Sequence, residues 1–77
     1  MTDTIADALP REIARVSAKR DRWRDMVKDH PELGMGMQFG IGLMRSDIEA
    51  AVMACATGDV VDMARSLAQL RVYSDDD

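Results

Sequence analysis

Residues 41–70 read IGLMRSDIEAAVMACATGDVVDMARSLAQL, and Gly58-Asp59 divides them into two amphipathic segments. Before the break, Ile41, Met44, Ile48, Ala51, Val52 and Cys55 fall on one face of a helix. After it, Val60, Met63, Leu67 and Leu70 recur at steps of three and four. Glycine closes helices because it enters the left-handed conformation without a Cβ clash, and Asp59 is a natural N-cap for the second segment. With two residues between them the helices must fold back on each other, so the spacing predicts a C-terminal helical hairpin.

Working outward toward the N-terminus, residues 31–42 read PELGMGMQFGIG. Gly34, Gly36, Gly40 and Gly42 lower helix propensity, so this stretch is expected to be a loop folded against the core, with the second helix starting near Phe39 or Ile41. It is not a phosphate-binding loop, because the spacing misses GxGxxG, no strand precedes it and no Lys-Ser or Lys-Thr follows. Upstream, Leu9, Ile13, Val16, Arg20, Trp23 and Val27 form one stripe. That predicts a long first helix opening near Pro10, with Asp7 as a cap further upstream, and stopping at His30 before Pro31. Three amphipathic helices can cover one another, so the expected fold is a small all-α three-helix bundle made of residues 1–77 as one domain. The acidic tail, residues 74–77, has nothing to bury and is expected to be disordered.

A chain of 77 residues that is 47% hydrophobic has room for one core. Such a core is thin, which makes self-association, a homodimer in the simplest case, an expected aid to stability. The lone Cys55 permits no internal disulfide and is expected in the core. The N-terminal residues carry no basic stretch followed by an apolar run, and no apolar segment approaches the about 20 residues of a membrane span. A soluble, cytoplasmic protein is the expectation.

Charge is unevenly spread. Residues 11–29 hold seven cations against four carboxylates, a net of +3, so with −4 for the whole chain the remainder carries −7. Arg11, Arg15, Lys19 and Arg22 lie within roughly 80° of one another, away from the apolar stripe. They are read as a solvated helix face, with nucleic-acid contact as the alternative. Arg20 lies inside the apolar stripe, where it must snorkel, reach Asp47, Glu49 or Asp62, or serve a partner. Arg and Trp are residues enriched at binding hot spots, so Arg20 and Trp23 are candidate contacts. Met35, Met37 and Phe39 form the candidate exposed apolar patch.

No catalytic or cofactor signature emerges. His30 stands alone without a second ligand at metal spacing, the serines lack a nucleophile motif, and the carboxylates lie outside apolar runs that would raise their pKa. Helix three opens with Asp59 and Asp62, which repel the phosphates that a recognition helix would meet. The chain therefore reads as a non-enzyme without metal or cofactor.

The segment LPREIARVSAKRDRW at residues 9–23, the Met-Gly-Met at 35–37, the Gly-Leu-Met at 42–44 and the SDDD ending resemble small uncharacterised helical proteins encoded in prophages and tailed phages. The resemblance supplies no catalytic residue. It implies a phage accessory role exercised by protein–protein binding, for instance on a host or phage enzyme or a defence system, with a protein as the partner and no membrane.

Overall fold

A capping box starts the first helix. In the computed structural model, which describes residues 3–74, the Asp7 N–H donates to the Thr4 hydroxyl at 3.2 Å, and the Thr4 N–H donates back to the Asp7 carboxylate. Helix α1 therefore runs Ile5–Asp29, opening upstream of the Pro10 expected from sequence, with Thr4 rather than Asp7 as the cap. Pro10 lies inside it, where its missing N–H leaves the Ala6 carbonyl without a helical donor. Both residues are exposed, so water can serve that carbonyl. The C-terminal end is as expected: His30 leaves the helix at φ −132° and ψ 74° before Pro31.

The glycine-rich stretch is not a loop. Pro31–Leu33 makes one 3-10 turn, and α2 spans Gly34–Thr57. Each interior glycine costs about 1 kcal/mol of helix propensity, but Met37, Gly40 and Ile41 are half-buried, and their packing outweighs that cost. The break at Gly58 is as the sequence predicts. Its φ of 72° is left-handed, and its N–H donates to the Ala54 carbonyl at 3.0 Å. The Asp59 carboxylate then accepts from the Asp62 N–H at 3.1 Å and starts α3, Val60–Arg71.

The result is the all-α three-helix bundle with a long first helix and a C-terminal hairpin, each helix packed on the other two. The shared core contains Ala8, Leu9 and Val16 from α1, Met44, Ile48, Ala51 and Ala54 from α2, and Met63, Leu67 and Leu70 from α3. Because two helices cover α1, its buried arc is wide and centred roughly 45° from the expected stripe, toward Ala8 and Lys19. The α2 stripe departs from expectation at its end. Val52 is half exposed and Cys55 is exposed, because the buried row steps from Ala51 to Ala54, under the returning α3. Val60, expected in the α3 stripe, is exposed at the start of the helix, whereas Ser66 is buried. Of the acidic tail, Ser74 is exposed and residues 75–77 lie outside the described residues.

Two polar ties hold the end of α3. The Arg15 guanidinium donates to the Leu70 carbonyl at 3.0 Å, beside the Tyr73 N–H that donates to it at 3.2 Å, and places a cation at the negative end of the helix dipole. Just beyond the helix, the Tyr73 hydroxyl donates to Asp47 at 2.6 Å. Burial, together with that bond and the carboxylate charge, pushes the Tyr73 phenol up to about 12.

Ile48→Ala is expected to cost about 2–5 kcal/mol in denaturant unfolding, since Ile48 is 6% exposed at the centre of the core; a loss well under 1 kcal/mol contradicts this packing. Tyr73→Phe is expected to cost about 1 kcal/mol at neutral pH. A phenol that keeps its proton longer in the folded state than at its ordinary value of about 10 stabilises the fold below that pH. This contribution is lost as pH rises toward about 12, so wild-type and Tyr73→Phe stabilities should converge over that window in pH-dependent melts.

Candidate protein-binding surface

Helix α2 is apolar on two sides. Counting about 100° per residue, Met44, Ile48, Ala51 and half-buried Ile41 face the core, while Met35, Phe39, Ser46, Ala50 and Met53 lie within an arc of about 80° on the opposite side. The outward side is well exposed: Met35 91%, Phe39 71% and Met53 66%, with Leu43 at 47% along one flank. The other flank carries Arg45 and Glu49, paired at 3.4 Å. On that flank the paired charges are the polar boundary of an otherwise apolar strip. Toward its C-terminal end the strip borders an open groove of about 440 Å³ between α2 and α3, lined by Ala50, Met53, Ala54, Thr57, Asp62, Arg65 and Ser66.

The sequence-derived contact candidates separate in space. Met35 and Phe39 stand on the outward strip, whereas Met37 points toward the core side and is half-buried. Trp23 packs inward against Gly40 so closely that a Cβ there would lie 2.6 Å from its ring. Its indole N–H is buried without a hydrogen-bond partner, and the Lys19 ammonium sits 5.2 Å from the ring centroid. Arg20 lies at the rim of the core and binds Asp21, at 3.2 Å and 3.3 Å, rather than Asp47, Glu49 or Asp62. Leu43 was not among the sequence-derived contacts, and Met53, for which core filling is the commoner role of a methionine, is exposed instead. Their spacing from Met35 and Phe39 is helical, but the loop expected over residues 31–40 concealed it.

The basic ridge is partly drawn into the fold. Lys19 is 3% exposed, with its ammonium over the Trp23 ring. Arg15 is engaged by Glu12 and by the Leu70 carbonyl, and Arg11 pairs with Asp3. Arg22 remains on the exposed surface.

Among the described residues no three of the types His, Cys, Asp or Glu converge as a metal-binding group, and no helix is long and apolar enough to cross a membrane. No family model, curated protein or solved structure matches the chain.

Gly40 and Gly36 make an internal comparison. Gly40→Ala forces a methyl into the Trp23 ring and is expected to destabilise by about 1–3 kcal/mol. Gly36→Ala meets no atom within 4 Å and is expected to stabilise by about 0.4–1 kcal/mol through the unfolded chain. Thermal melts of the two variants check this; equal effects would remove Trp23 as the reason for glycine at position 40.

Proposed function

We propose that the protein is a non-enzymatic binding module of the phage accessory type, which docks onto a protein through the outward face of α2 and so modulates a host or phage enzyme or a defence system. The observation that carries this reading is the exposure of Met35, Phe39, Leu43 and Met53 along one face of a helix whose other face is already core. Large apolar side chains aligned on one exposed face mark interaction sites, because water gains by their removal and a single core of this size cannot also cover them. Aromatic and methionine side chains are the residue types enriched at protein interfaces.

A protein partner fits this face better than a nucleic acid or a membrane surface. A phosphate backbone needs cations, and the strip offers Arg45 already paired with Glu49. An interfacial membrane helix carries Lys and Arg along its polar face, whereas α2 has Arg45 as its one cation. The alternative nucleic-acid reading rests on α1, where Lys19 is buried and Arg11 and Arg15 are held by Asp3, Glu12 and the Leu70 carbonyl.

Photo-cross-linking tests the choice in cells producing the protein. A photoreactive residue at Phe39 is expected to give protein adducts, a second copy of the chain included, and one at Arg22, an exposed member of the basic ridge of α1, is expected to give no nucleic-acid adduct. The opposite pattern would assign the work to α1.

A further inference from the structure

We infer that the occupant of the α2 face is a second copy of this chain, its α2 lying antiparallel across a two-fold axis at Ser46. This rests on the reading of that face as a docking surface. An isologous pair requires the face to be its own complement, with residues equidistant from the axis matching one another. The strip meets that condition. Seven residues either side of Ser46 stand Phe39 and Met53, and four either side stand Gly42 and Ala50. Large apolar side chains therefore meet near the ends, and small ones meet at the middle, where the two backbones come closest. From Met35 to Thr57 the matched strip is about 33 Å long.

Two further features select the antiparallel arrangement. A two-fold perpendicular to the helices keeps like flanks together, so Arg45 of each copy lies one turn or less from Glu49 of the other, and charges paired at 3.4 Å within one helix gain a second partner across the axis. The same operation carries the second copy's Phe39 to the level of Met53, on the flank where the groove between α2 and α3 opens. The 71% exposed ring is thereby seated among Ala50, Met53, Ala54 and Thr57, and symmetry fills both grooves. In a parallel pair the flanks exchange: Arg45 and Glu49 then lie along the apolar Leu43 flank, and each Phe39 sits more than about 15 Å from either groove.

Light scattering on the full chain over a range of concentrations is expected to show a dimer, and Phe39→Asp to weaken its association at least tenfold with unchanged helical circular dichroism. Orientation is read by disulfide trapping in a Cys55→Ser background. Ser46→Cys should cross-link to itself under mild oxidation. Phe39→Cys and Met53→Cys should each fail alone, their copies lying about 21 Å apart, yet cross-link when mixed. A monomer at several hundred micromolar, or self-cross-linking of Phe39→Cys and Met53→Cys singly, overturns the proposal. If the chain is monomeric while the photoreactive residue at Phe39 captures a different protein, the self-pairing fails and the docking reading survives. No adduct and no dimer sinks both.

Discussion

The contact of Trp23 with Gly40 fixes how α2 is rotated about its own axis, and that rotation sets both faces of the helix. The indole needs a position on α2 without a Cβ, and the ring comes so close that alanine there would overlap it. Once Gly40 faces Trp23, the helical repeat carries Met44, Ile48 and Ala51 inward above it. The same repeat turns Phe39, Ser46, Ala50 and Met53 outward. The buried face and the candidate binding face are thus two consequences of one packing contact.

What was legible in the sequence was the architecture, because it is written in features that act locally. Gly58 and Asp59 specify a helix stop and start through backbone geometry and a cap, and Pro31 ends α1 through a steric clash with its neighbour. What was not legible depends on contacts between distant residues. Four glycines in residues 34–42 argue against a helix until one knows that Trp23 requires one of them. The phase of α1 was ambiguous for a similar reason: Val16 can be followed inward by Lys19 or by Arg20, and only the pair of covering helices selects Lys19. Of the candidate contacts, Met35 and Phe39 are exposed as expected, being large and apolar in a segment rich in glycine. Met53 was hidden in a run, AAVMACAT, whose small residues give little clue to which side is inward.

The uneven charge of the chain takes on a structural meaning in the bundle. Helix α1 lies against both other helices and still carries the cations, so several of them serve the fold: Arg15 closes the end of α3, and Lys19 covers Trp23. Helix α2 is the converse. Its charged side chains are Arg45, Asp47 and Glu49; Asp47 is used by Tyr73 and the other two by each other. A helix intended only for solvent on its outer side gains nothing from Phe39 and Met53 there, since polar residues of good propensity would serve at no cost.

A helix apolar on both sides raises the question of why one side is reliably chosen as core. Burial alone cannot decide, because Phe39, Leu43 and Met53 offer at least as much apolar surface as Met44 and Ile48. Steric fit and polar pairing decide instead. Turning α2 by half a turn would remove Gly40 from Trp23 and set Gln38 and Gly42 on that side, so that a Gln38 side chain stands where the ring now meets bare backbone. It would also carry Asp47 away from the Tyr73 hydroxyl and break a half-buried hydrogen bond, which costs about 1 kcal/mol. The inward choice thus rests on two specific complementarities that penalise the alternative more than they strengthen the native state, a form of specificity that apolar surface alone cannot provide. Freed from specifying the core, the outward side can be shaped for a partner.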